Sequence, residues 1–98
     1  MDLERQNETL KVNSTADITA ANAGDIRQKL LEEMDESLKF VELDLKDVKL
    51  IDSTGISLLI SIQNSLNKQA GKLKIINTDK NLLHMFNVMR LNTHFEIS

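Results

Sequence analysis

Apolar residues along this chain change spacing from two to three-and-four and back several times, and each change marks an element boundary. Leu10 and Val12 stand two apart, and Asn7-Glu8 before them suits a tight turn, so Leu3 to Asn13 predicts a hairpin. From Asp25 onward the apolar positions are Ile26, Leu30, Leu31 and Met34, the stripe of a helix over Asn22 to Asp35. Phe40-Val41-Glu42-Leu43-Asp44-Leu45 reads as a central strand bounded by charged turns. Val48-Lys49-Leu50-Ile51 reads as a strand end leading into the polar run Asp52-Ser53-Thr54-Gly55. Beyond it Ile56, Leu59, Ile60, Ile62 and Leu66 recur at helical spacing, which predicts a helix from Thr54 to Ala70 with a Ser or Thr cap and a closing Gly71. Leu73 to Ile76 predicts another strand. Thr78 or Asp79 can cap a helix over Lys80 to Met89 whose face is Leu82, Met85, Phe86 and Met89, and Phe95-Glu96-Ile97 predicts a last short strand. Strands alternating with helices after a hairpin predict an α/β fold, with helices packed against a partly parallel sheet.

Composition narrows what such a fold could do. Ninety-eight residues make one domain, residues 1–98, without room for a second core. Leu, Ile, Val and Phe account for 31 positions, well above the roughly 20% below which chains stay disordered. Both signs of charge are scattered, the net is −3, and no run of Lys or Arg could neutralise several phosphates, which argues against nucleic-acid binding. No apolar stretch approaches the roughly 20 residues that cross a bilayer, and Met1-Asp2-Leu3-Glu4-Arg5 lacks the apolar core of a signal peptide. The expectation is a cytoplasmic chain that does not insert into membranes. Absence of Cys removes thiol nucleophiles, disulfides and sulfur-rich zinc sites. Aromatic residues are three Phe, so stacking platforms for bases are lacking as well.

Candidate chemistry is sparse. Asp44, Asp47 and Asp52 fall within nine positions, a spacing from which an acidic cluster could in principle bind a divalent cation. A phospho-accepting receiver domain would need an acidic pair after its first strand, where this chain has Ser14-Thr15-Ala16. His84 and His94 have no Glu or Cys at ligand spacing and read as ordinary surface or half-buried residues. Gly24, Gly55 and Gly71 are dispersed and form no phosphate loop, and there is no Gly-x-Ser-x-Gly elbow. We therefore expect no enzyme, no cofactor and no metal. What remains is the pair of hydroxyls in Ile51-Asp52-Ser53-Thr54-Gly55-Ile56-Ser57, at a strand-to-helix turn. One reading is a plain helix cap. Another is a modification site, because a phosphate at a helix start meets free amides and the positive end of the dipole.

Taken together, the Phe40–Leu45 strand, Ile51-Asp52-Ser53-Thr54-Gly55-Ile56, the Gly71-Lys72-Leu73-Lys74-Ile75 strand and the Leu83-His84-Met85-Phe86 to Leu91 helix end resemble the STAS domain of bacterial anti-sigma factor antagonists. The resemblance covers essentially the whole chain. It implies a mixed sheet of four to five strands with three main helices in a single layer. It also implies partner switching: the unmodified protein binds a GHKL-type serine kinase that doubles as an anti-sigma factor, and so frees the sigma factor. The kinase modifies the serine directly after the Asp, which maps to Ser53, and a PP2C-type phosphatase restores it. Asp17, Thr19, Asp52, Thr54, Gly55, Ile56 and Ser57 would then join Ser53 at the partner surface of a chain that is monomeric when free.

Two departures stand out. Where the family often has Gly-Glu-Leu-Asp, this chain has Ala16-Asp17-Ile18-Thr19, which puts the contact at Thr19 in question. The sequence also stops at Ser98 without the C-terminal helix of many relatives and so looks minimal. STAS domains also serve as accessory subunits of membrane lipid-transport ATPases, a role that does not require the Asp-Ser pair. Its presence favours the antagonist reading.

Overall fold

The computed structural model describes all 98 residues. Strand β1 (Asp2–Gln6) turns at Asn7, whose left-handed φ of 55° is a conformation Asn tolerates, into β2 (Thr9–Asn13). Then follow α1 (Ala23–Glu33), β3 (Phe40–Asp44), α2 (Ser53–Asn67), β4 (Lys72–Ile76), α3 (Lys80–Val88), a 3-10 turn at Leu91–Thr93 and β5 (Glu96–Ile97). The five strands lie in the order β1-β2-β3-β4-β5, with β1 antiparallel to β2 and every later pair parallel. The partly parallel sheet expected from the sequence is thus present. Three successive crossovers step across the sheet in one direction, and because such connections are right-handed they place α1, α2 and α3 on one face.

Register explains why one layer of helices suffices. Leu10, Val41 and Leu73 face one another across three strands, as do Val12, Leu43 and Ile75, and all six are buried under the helices. Alternation puts the intervening residues on the opposite, open face. One row there reads Glu4, Lys11, Glu42, Lys74, Glu96 in direct cross-strand register, so the sign of charge alternates across all five strands. Parallel sheets ordinarily bury both faces. This one can meet water because its second face is mostly charged and polar, with Phe40 and Ile76 as its apolar exceptions.

The core is one cluster of 23 buried apolar residues, with Phe86 and Phe95 among its largest members. Three sequence expectations need correction. Leu31 and Met89, placed on the apolar faces of α1 and α3, are about half exposed, and the core is completed instead by Leu58, Leu91 and Phe95. Val48–Ile51 is no strand; Ile51 makes a single parallel bridge to Ile18. The helix that was to run to Ala70 ends at Asn67, and the left-handed residue of its closing turn is Ala70, with φ 56°, rather than Gly71. Gly71 is required for another reason: a Cβ there would lie 2.5 Å from the Lys39 carbonyl oxygen.

Two polar side chains tie elements together. Gln63 is buried in the middle of α2, where its Oε1 accepts from the Leu73 amide at 2.8 Å and its Nε2 donates to Asn67 Oδ1 and the Gly71 carbonyl. Arg5 donates to the carbonyls of Asn7 and Glu33, to Asp35 Oδ1 and to Ser37 Oγ, fastening the hairpin to the end of α1.

Candidate functional site

The site grows from an aspartate in extended conformation. Asp52 has φ −89° and ψ −176°, and its Oδ1 accepts the Gly55 amide at 2.9 Å, which makes it the N-cap of α2. The cap expected from Ser53 or Thr54 is therefore supplied one residue earlier. A carboxylate suits the position because it meets an orphan amide and the positive end of the helix dipole together. Its other oxygen, Oδ2, accepts the Ala20 amide at 2.9 Å, 32 residues away in sequence. Donation from Gly55, and then from Ala20, holds the Asp52 carboxyl below the usual carboxylate range.

With the cap provided by Asp52, Ser53 and Thr54 become the first two residues of α2, and both side chains are exposed. Ser57, one turn on, is exposed too. Gly55 and Ile56 are not: Ile56 packs into the core, and Gly55 is covered by the chain around Ile18. A Cβ on Gly55 would lie 2.5 Å from the Ile18 carbonyl oxygen and 2.7 Å from Ile51 Cγ2. The expectation that these two residues face a partner is corrected accordingly. Gly55 instead lets the first turn of α2 press against the Asp17–Ala20 segment.

That segment is laced to the approach to α2. Asp17 Oδ1 accepts the Lys49 and Leu50 amides at 2.8 and 3.1 Å, Ile18 donates to the Leu50 carbonyl at 3.1 Å, and Asp52 donates back to the Ile18 carbonyl at 3.2 Å. Thr19 is half-buried; its amide donates to Asn22 Oδ1 at 2.9 Å, and Asn22 Nδ2 donates to the Asp17 carbonyl at 2.6 Å. Asp17 and Thr19 are thus brought to Ser53, though Asp17 acts there through backbone amides. Asn22 and Ala20 belong to the same assembly, Asn22 through the nearby Thr19 amide and Asp17 carbonyl and Ala20 through the distant Asp52 carboxylate, and no pattern in the sequence marked either. The acids Asp44, Asp47 and Asp52 do not converge with one another or with a histidine. Asp44 Oδ1 instead accepts from the Lys46 amide and Asn77 Nδ2. A hollow of about 410 Å³ lies on the open sheet face, lined by Lys11, Glu42 and Asp44 among others, and Ser53 is not part of it. The hydroxyl stands on open surface.

The STAS domain model matches residues 1–98. The chain belongs to the STAS domain family. The anti-sigma-B factor antagonist of Bacillus subtilis (strain 168) is 28% identical over 98 residues, covering all of this chain and 89% of that protein. Among solved structures, an anti-sigma factor antagonist from Mycobacterium paratuberculosis superposes with a TM-score of 0.82 at 18% identity, over 97% of this chain and 80% of that one. The Bacillus cell fate determinant SpoIIAA in its phosphorylated form gives 0.77 at 17% identity, over 99% of this chain and 89% of that one. These structures share the five-stranded mixed sheet and three helices of the STAS fold, and the curated relative carries the name of an anti-sigma factor antagonist. No helix of this STAS domain is long and apolar enough to cross a membrane.

Proposed function

We propose that this STAS domain is a phosphorylatable anti-sigma factor antagonist that works in the cytoplasm by partner switching. Unmodified, it binds a GHKL-type serine kinase that is also an anti-sigma factor, and the sigma factor is freed. Phosphorylation of Ser53 by that kinase ends the binding, and a PP2C-type phosphatase restores it. The domain itself catalyses nothing, binds no nucleic acid, cofactor or metal, and is monomeric when free.

The observation that supports this reading best is the division of roles between Asp52 and Ser53. Asp52 holds the first turn of α2, which leaves the Ser53 hydroxyl exposed and without a structural duty. A phosphoryl group there adds about −1.5 to −2 charge beside the ionised Asp52. At a partner surface shaped around a neutral hydroxyl, that charge brings like-charge repulsion and an uncompensated desolvation cost. Thr54, Ser57, Thr19 and Asp17 border the same surface, the last through the backbone it holds.

The test uses the kinase that co-purifies with the chain from its source cells. Ser53 should be the main residue labelled, Ser53→Ala should stay bound, and Ser53→Asp should bind about 2 to 5 kcal/mol more weakly, the usual cost of an unpaired charge in an interface. Labelling at Thr54 instead, or undiminished binding of Ser53→Asp, would sink the assignment.

A further inference from the structure

We propose that Leu50 is the apolar anchor by which the kinase acting on Ser53 holds this chain, and that Asp17 is the positioning residue that sets Leu50 in place. The inference rests on the Ser53 reading above and adds the side chain that supplies binding. Leu50 is 55% exposed, whereas Val48 and Ile51 on either side of it are buried. Five large apolar side chains are exposed in the molecule, and only Leu50 lies in the two segments, 17–22 and 48–57, that meet around Ser53. The other exposed side chains there are the short ones of Ala20, Ala21, Ser53, Thr54 and Ser57 and the charged one of Lys49, whose ammonium lies 3.7 Å from Asp79 Oδ2.

The backbone that carries Leu50 is fixed. Its amide donates to Asp17 Oδ1, as does the Lys49 amide, and its carbonyl accepts from Ile18. Both main-chain polar groups of Leu50 are therefore occupied, and the isobutyl group projects from a fastened turn. An anchor ordered before binding loses less freedom on docking than one on a loose loop. Leu50 precedes Ser53 by three residues, a span of at most about 10 Å even for a fully extended chain. An enzyme that brings a phosphoryl donor to the Ser53 hydroxyl covers that radius, so the occupant of the Leu50 surface is the kinase itself.

The experiment takes the kinase purified from source cells by its activity on this chain, and measures KM and kcat for Ser53 labelling. Covering one leucine should set the scale: Leu50→Ser should raise KM about ten- to a hundredfold while kcat stays within about twofold. Leu50→Met should restore most of the loss, and Asp17→Asn should raise KM by a smaller factor. Because Leu50 is exposed, its variants should keep the thermal midpoint of the parent chain, and a shift of that midpoint with unchanged KM would mean a structural role and overturn the proposal. So would a fall in kcat alone, or sedimentation showing that Leu50→Ser breaks up a self-associated form. If the unsubstituted chain is labelled elsewhere than Ser53, the Ser53 reading itself fails. If Ser53 is labelled and Leu50→Ser behaves as the parent, only the anchor is lost.

Discussion

Asp52 accepts the Gly55 amide with one oxygen and the Ala20 amide with the other, so removing its carboxylate disconnects two segments at once. Asp52→Ala should lower the urea midpoint, and more than Asp52→Asn, which keeps one acceptor. Ser53→Ala and Thr54→Ala should each stay within about 0.5 kcal/mol of the parent, as for surface positions free of such roles. Equal losses from all three would return the cap to the hydroxyls. Acid should expose the same carboxylates. Asp35 is lowered from the usual 3.8 to about 2, chiefly because the Ser37 hydroxyl and then the Arg5 guanidinium donate to it, and Asp52 is shifted in the same direction. Folded-state values below the unfolded ones give stability that is complete above about pH 4 and is lost as pH falls through that value toward 2. Denaturation midpoints measured across that window should fall with acid, and Asp35→Asn should flatten part of the slope. Stability that rises on acidification would contradict the assignment.

At the scale of elements, the tightest constraints are on backbones that touch. Gly55→Ala places a methyl group 2.5 Å from the Ile18 carbonyl, so the first turn of α2 must move away from the Asp17–Ala20 segment, at a cost of about 1 to 3 kcal/mol by analogy with overpacked cores. Gln63→Leu leaves the buried Leu73 amide without its side-chain acceptor and should cost a similar 1 to 3 kcal/mol, roughly the penalty for an unsatisfied buried group. Chemical denaturation checks both. These elements also show how far the sequence could be read. Helix and strand existence follows from spacing alone: the Ile26 and Leu30 stripe and the Leu73, Ile75 alternation place α1 and β4 within a few residues of where they lie. Choosing among Asp52, Ser53 and Thr54 as the cap could not follow, because all three types cap helices and the choice depends on the Ala20 amide across the fold. Leu31 and Met89 were drawn into apolar faces because the pattern cannot tell how wide a stripe the sheet covers. Gln63 was invisible for the opposite reason, a polar residue inside an apolar run whose partners are two main-chain groups and Asn67. The place of Ser53 at the start of α2 was legible through its motif, and the exposure of Leu50 was not, since which of Val48, Leu50 and Ile51 faces outward depends on the bonds their backbone makes to Asp17.

For the molecule as a whole, the open sheet face depends on its alternating charges. Glu42→Lys would put three lysines side by side in register, Lys11, the new residue and Lys74, and should cost about 0.5 to 2 kcal/mol from two reversed cross-strand pairs. Raising the salt to about 0.5 M should recover much of that loss, because exposed charges are screened. Insensitivity to salt would mean that the row contributes nothing through charge. A different consequence follows from the cap. A group attached to Ser53 leaves the Asp52 bonds to Gly55 and Ala20 in place, and its interaction with the helix end is worth no more than about 1 kcal/mol at an exposed site. Proteolysis samples the small unfolded population, which is set by overall stability. On the proposed reading, marked and unmarked chains would therefore age at nearly the same rate, and a mark at Ser53 would be erased by an enzyme that removes it, with no preferential disposal of the molecules that bear it.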